Sequence, residues 1–460
     1  MRPHAAPLVA LLAAYAGAQT VPRISAGDLK ADVSFLASDA LEGRATPSKG
    51  LEVAAEYIAS EFRRVGLEPA GDDGYFQSAA FDEVTPNLDG LRLTLEIGGQ
   101  EVAVDPKALA LTTPAAANLD HAPLERTTGP RGTILLQTPR PAGAPPDWTP
   151  AIAIQIAAQP PRAASERPPL RDASTPAPST PALAIWDAAA RAALVAAPSA
   201  PVAVSARIPP PRIQPVKLRN VAGILPGSDP ALKDTCLLLT AHYDHLGVRA
   251  SGEGDRIYNG ANDDASGTAS IIEIARALAA APSRPKRAIL FVAFFGEELG
   301  GLGSLYYVHH PLVPLAKTVA EINLEQLGRT DDSEHPKIRE LNLTGFQYTT
   351  LGATFQKAAE AAGIRAVDDA PSGDSYFARS DNVRFAEAGI PDTTASVAYE
   401  FPDYHAVGDE WPKLDYENMA LVDLAIALAA ESIAGDPAPP QWNAANPRTA
   451  RYIKAQQTLH

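Results

Sequence analysis

Ala288-Ile289-Leu290-Phe291-Val292-Ala293-Phe294-Phe295 runs without interruption into Gly296-Glu297-Glu298-Leu299-Gly300. A short apolar run closed by a glycine turn reads as a strand buried on both faces, as strands of a parallel sheet are. Such a strand needs neighbours of its own kind. Cys236 to Ala241, Val319 to Leu324 and Leu341 to Leu343 supply them, and helical patterns cover Thr268 to Ala280, Thr350 to Ala362 and Tyr416 to Ile433. This alternation predicts an α/β sheet with helices on its faces over residues 216–435. Ligands of such sheets collect where strands end and loops begin.

Outward from that core the composition changes. In residues 19–80, Leu51, Ala54, Ala55, Ile58, Phe62 and Val65 recur at spacings of three and four and stop at Gly66, which predicts an amphipathic helix. Residues 81–215 alternate at Leu91, Leu93 and Leu95 and hold 20 of the 43 prolines between His121 and Pro215. Proline removes a sheet donor and breaks helices, so this zone is expected to be an inserted β-rich domain of short strands and long loops. Residues 436–460, with Pro437, Pro439 and Pro440, are expected to be a C-terminal surface extension. At the other end, Arg2 and His4 precede an apolar stretch from Pro7 to Ala16 and the small residues Ala16-Gly17-Ala18. That is the pattern of a cleaved export signal over 1–18, and it predicts a periplasmic or extracellular protein.

The chain has 460 residues, 46% of them hydrophobic, and a formal net charge of -15. It can bury a sizeable core, and an acidic surface makes nucleic acid an unsuitable partner. No uninterrupted apolar run long enough to span a bilayer is expected beyond the leader. The one cysteine, Cys236, excludes an intramolecular disulfide and a cysteine-based zinc site, so a metal centre must use His, Asp and Glu.

Those residue types gather at the strand ends. His242-Tyr243-Asp244-His245 follows the run Leu237 to Ala241, and in extended chain His242 and Asp244 share a face, so the carboxylate can orient the imidazole. Asn259-Gly260-Ala261-Asn262-Asp263-Asp264 is a polar turn opening a helix; an N-cap explains one aspartate, not two. Glu297 and Glu298 are adjacent, so their side chains diverge, and one can hold a cation while the other handles a proton. Asn323-Leu324-Glu325 ends another apolar strand, and Tyr404-His405 lies in an acidic loop. Among nine histidines, His242 and His405 stand out beside acidic motifs.

In this order the motifs resemble those of the M28 family of zinc metallopeptidases, over about 220 residues from Asn220 together with the N-terminal helical zone. The resemblance implies a mixed central β-sheet flanked by helices and two zinc ions. His242 and Glu325 would hold one ion, Glu298 and His405 the other, and Asp263 would bridge them. Glu297 would be the general base, Asp244 would orient His242, and Tyr404 would contact the developing oxyanion. Ser380-Asp381-Asn382 and Gly389-Ile390-Pro391 are similar to a stretch near the family's cleft, with Asn382 where a histidine is usual. Most members carry aspartate at the position of Glu325, whose extra methylene moves the oxygens roughly 1.5 Å outward. The insertion occupies the place of the protease-associated domain of many relatives. The resemblance implies an exported aminopeptidase acting on peptides. Carboxypeptidase or glutaminyl-cyclase-like chemistry, or a metal-free binding homologue, are the competing readings, and oligomeric state is left open.

Overall fold

The strands Ala288–Phe294, Cys236–His242, Thr318–Leu324 and Asp392–Ser396 lie side by side and parallel, so their C-terminal ends share one edge. The structure is a computed structural model describing residues 21–129, 133–160, 169–333, 335–368 and 372–459; the expected leader lies outside them. Two compact units make up the chain, residues 1–78 with 219–460, and residues 79–218.

In the first unit the four parallel strands are flanked by Val221–Leu225, the end of the strand Arg212–Leu225, antiparallel to Ala288–Phe294, and by Glu340–Leu343, antiparallel to Asp392–Ser396. The sheet is therefore mixed, as expected. Every residue of Cys236–His242 and Ala288–Phe294 is buried, which is why these segments read as unbroken apolar runs. Period-two geometry divides them between the faces. Leu238, Leu290, Val292 and Phe294 pack with Tyr307 of the helix Leu302–His309 and Phe385 of Asn382–Glu387. On the other face Phe291 meets Phe62, with ring centroids 6.4 Å apart, from the predicted amphipathic helix Lys49–Arg64. The Ser48 hydroxyl starts that helix by accepting the Leu51 N–H at 3.0 Å. Helices Gly267–Ala279 and Tyr416–Gly435 also cover the sheet. Tyr416–Gly435 is long and apolar enough to cross a membrane, but most of its apolar residues are buried inside the unit and it carries the buried Asp423.

The C-terminal residues depart from expectation. Rather than forming a surface extension, Trp442 and Tyr452 stack with centroids 5.0 Å apart and are buried with Phe377 and Tyr348, and residues Ala450–Leu459 form a helix. Prolines 437, 439 and 440 end one helix without preventing the next from packing.

The second unit holds an eight-stranded sheet in the order Gln100–Ala103, Arg92–Ile97, Val202–Ile208, Ala117–Thr128, Ile134–Gln137, Ala153–Ile156, Ala182–Ile185, Leu109–Thr113. Its own core includes Leu93, Leu95, Ile154, Leu183 and Val204. Several strands are four residues long, but Ala117–Thr128 runs for 12, contrary to the expectation that proline keeps all strands here short. Pro123 sits in that longer strand, opposite Ala203.

Candidate metal centre and cleft

The shared edge of the parallel strands carries the acidic and imidazole side chains. His242 is the last residue of its strand, Glu325 follows Leu324 directly, and Glu297 and Glu298 follow the glycine turn at Gly296, whose φ is 68°. Asp263 comes from the turn before the helix Gly267–Ala279, and His405 from the loop after Asp392–Ser396. These scattered residues converge. Ligand atoms of His242, Asp263 and Glu325 lie within 4.8 Å of one another, and so do those of His245, Asp263 and Glu298. Asp263 belongs to both groups: its Oδ1 is 3.3 Å from His242 Nε2 and its Oδ2 is 3.2 Å from His405 Nε2. His405 Nε2 is also 3.4 Å from Glu298 Oε2. Glu325 reaches its cluster despite its extra methylene.

His245 is the residue sequence reasoning missed. Fully buried, it places Nδ1 2.6 Å from Glu298 Oε1, on the carboxylate expected to pair with His405. Its place three residues after His242 was the available signal. Asp244 also differs in detail from expectation, because His242 Nδ1 lies 3.2 Å from the Asp244 carbonyl oxygen and 3.6 Å from its carboxylate. The carboxylate instead accepts the Glu297 N–H at 3.0 Å and the Thr46 hydroxyl at 3.1 Å.

Residues 220–430 match the sequence profile of peptidase family M28. The segment belongs to that family. Aminopeptidase YwaD of Bacillus subtilis (strain 168) is 31% identical over 206 residues, 42% of this chain and 40% of that protein. Leupeptin-inactivating enzyme 1 of Streptomyces exfoliatus is 31% identical over 176 residues, 37% and 34% of the two chains. This chain thus spans well under half the length of either relative. The aminopeptidase from Aneurinibacillus sp. strain AM-1 superposes with a TM-score of 0.52 at 17% identity, covering 91% of this chain and 95% of that one, which shows a common fold.

Buried polar contacts hold the M28 segment's strand-end loops in place. Arg44, a fully buried residue of the N-terminal zone, donates to the carbonyls of Tyr243 (2.8 Å), Asn259 (2.7 Å), Gly260 (2.9 Å) and Leu36. It therefore joins the loop after His242 to the turn that carries Asp263. Asp409 accepts the N–H groups of Asn262 and Asp263 at 2.9 and 3.0 Å. Asp264 accepts those of Gly267 and Gln326, tying the same turn to the strand end at Glu325. At Gly260 φ is 59°, and a Cβ would come within 2.3 Å of the Asp263 carbonyl oxygen and 2.5 Å of His245 Cγ, so only glycine fits.

The electrostatics are those of a site short of positive charge. Burial, then the carboxylates of Glu325, Asp381 and Glu298, push Glu297 well above the usual range against the pull of His242. Burial likewise pushes Glu325 up to about 7. For Asp263 burial acts upward too, but the imidazoles of His242 and His405 beside it carry it well below its ordinary value. His242 is raised by its carboxylate neighbours despite burial. Despite these close contacts, His242 Nε2, both His245 nitrogens and Glu298 Oε1 are buried without a well-directed hydrogen bond. Imidazole nitrogens and carboxylate oxygens gathered without enough protons between them fit divalent cations, and N/O donors of this kind suit zinc. A cavity of about 230 Å³ opens beside them, lined also by Tyr404 and Arg379. Tyr404 stacks on His405 with centroids 4.1 Å apart.

Proposed function

We propose that the protein is an exported zinc-dependent aminopeptidase that hydrolyses the N-terminal peptide bond of peptides. The observation that carries this reading is the pair of buried donor groups sharing Asp263 at the edge of a cavity. His242 and Glu325 would hold one zinc, Glu298 and His405 the other, with Asp263 common to both and His245 available to the second. A bound pair of divalent cations supplies Lewis acidity toward a carbonyl oxygen and a water.

Glu297, 15% exposed beside this group, faces the cavity and takes the proton from the attacking water, then returns it to the leaving amine. Asp244 fixes the backbone of Glu297 through the 3.0 Å hydrogen bond. Burial and the carboxylates of Asp263, Glu325 and Glu298 raise the Tyr404 phenol, which stays protonated and able to donate to the developing oxyanion. The carboxylates lining the cavity favour a free α-ammonium group, and so a substrate with an unblocked amino terminus. The apolar leader pattern at 1–18 supports export.

A panel of peptides with free and blocked amino ends, assayed with and without chelator and with zinc restored, tests the reading. Release from free amino ends alone, lost on chelation and recovered with zinc, is the expected result. Liberation of C-terminal residues, pyroglutamate formation, or metal-independent turnover overturns it.

A further inference from the structure

The same cavity has an unusual lining for a pocket facing an amino-acid side chain. Among its described residues there is no aliphatic side chain longer than a methyl group, and its large rings are those of Tyr376, Tyr399 and Tyr404. The other contributors are the hydroxyl side chains, the carboxylates and His405 already placed, Gly300, the Gln326 amide and one guanidinium, Arg379. Tyr376 and Tyr399 stack with centroids 4.6 Å apart and planes 9° from parallel, forming a flat wall. The Arg379 guanidinium lies over the Tyr376 ring, 4.7 Å from its centroid, and its charge is felt at Tyr404. Arg379 also reaches the Tyr376 hydroxyl, which donates to Glu400 Oε1 at 2.5 Å, and its exposed fork keeps further N–H groups for a ligand. The cavity is thus dipolar, with carboxylates at the metal-binding end and the exposed Arg379 cation on another wall.

An aliphatic side chain would exchange water for hydroxyls and charge here, gaining little. A substrate with an ammonium and a carboxylate satisfies both ends. We propose that Arg379 is a specificity-determining residue that pairs with a carboxylate of the substrate, carried either on the side chain of an N-terminal acidic residue or at the C-terminus of a dipeptide. This inference rests on the aminopeptidase reading and names its substrate class.

The test compares kcat/KM within isosteric pairs on the zinc-loaded protein. Glutamyl- against glutaminyl-p-nitroanilide isolates the side-chain carboxylate; leucyl-glycine against leucyl-glycinamide isolates the terminal one. At least one pair should favour the carboxylate by about tenfold or more, as expected for a charge-assisted hydrogen bond. Arg379→Gln should bring that ratio to within about threefold of unity, with Arg379→Lys between the two. Because each ratio is taken within one variant, differences in folding or zinc content cancel. Ratios near unity for both pairs in the parent, or a preference that survives Arg379→Gln, overturn the inference while leaving the aminopeptidase intact. No turnover of any of the four substrates removes the aminopeptidase reading and this inference with it.

Discussion

Replacing Arg44 should unfold the protein more readily than replacing any residue that touches substrate. The guanidinium is fully buried and serves the carbonyls of Leu36, Tyr243, Asn259 and Gly260. Arg44→Met keeps most of the stem but supplies no donor. Replacing a buried ion pair with apolar groups can be neutral, because both charges leave together. Here the partners are backbone carbonyls, which stay where they are. Each buried acceptor left unsatisfied costs about 1–3 kcal/mol; the Gly260 carbonyl keeps the Ala265 N–H at 3.1 Å, so the other three cost about 3 kcal/mol even at the low end. Relief from burying the charge offsets part of this, since burial already brings the Arg44 pKa down to about 10. Against a typical total of about 5–15 kcal/mol the net loss is still large. At about 2–4 °C per kcal/mol, Tm should fall by roughly 10 °C, measured by calorimetry on the zinc-saturated protein. Arg44→Lys should recover less than half of this, because one ammonium cannot reach four carbonyls in a plane. A Tm within about 2 °C of the parent for Arg44→Met would refute the argument.

Other outcomes follow from the site and its supports. Glu297→Gln should lower kcat by about 10²–10⁴-fold while elemental analysis finds zinc content unchanged, because the amide keeps the shape but cannot accept a proton; near-parental turnover would remove Glu297 as base. His242→Ala should abolish most of the stabilisation that zinc gives the parent, about 2.7 kcal/mol at a free concentration one hundred times Kd and read as a rise in Tm, and an undiminished zinc-induced shift would exclude His242 as a ligand. Zinc binding near pH 6.5 should release protons, seen as a dependence of calorimetric heat on buffer ionisation enthalpy, because Glu325 and His242 are shifted upward and ligands must deprotonate; heats independent of buffer would contradict this. Away from the site, burial and the Asp32 carboxylate push Glu273 up to about 8. Its folded pKa exceeds the unfolded one, so its contribution is complete below about pH 4.3 and is lost as pH rises through 8. The Tm of Glu273→Gln relative to the parent should therefore increase between pH 5 and pH 9, and a pH-independent difference would show that Glu273 is not the group responsible.

The parts of the fold legible in the sequence were those where one physical rule acted alone. Strands buried on both faces leave unbroken apolar runs, and Ala288–Phe294 and Cys236–His242 could be placed to within a residue. Spacing also found the helix Lys49–Arg64, since its buried Leu51, Ala54, Ile58 and Phe62 lie on one stripe. Arg44 was invisible because a lone arginine reads as a solvated charge, and its four carbonyl partners lie on backbone far away in sequence, which no side-chain pattern records. His245 was overlooked because an imidazole next to a recognised motif adds nothing to the motif itself. The C-terminal residues misled for a related reason: prolines mark where a helix must stop, not whether the following Trp442 and Tyr452 find a surface to cover.

The composition and the site have a common explanation in charge. Asp263, Glu297, Glu298 and Glu325 crowd one cavity edge, with Asp264 and Asp381 buried behind them. The buried arginine nearest the loops, Arg44, spends its N–H groups on carbonyls, so it fixes geometry without neutralising any carboxylate by direct contact. Three imidazoles cannot balance that many carboxylates, and protons would have to make up the difference, as the raised Glu297, Glu325 and Asp264 indicate. A proton neutralises one oxygen and removes it as a ligand. A divalent cation neutralises two charges and needs every oxygen it meets. The arrangement is costly for the fold alone and favourable with metal bound, which ties the stability of the first unit to occupancy of the site its strand ends build.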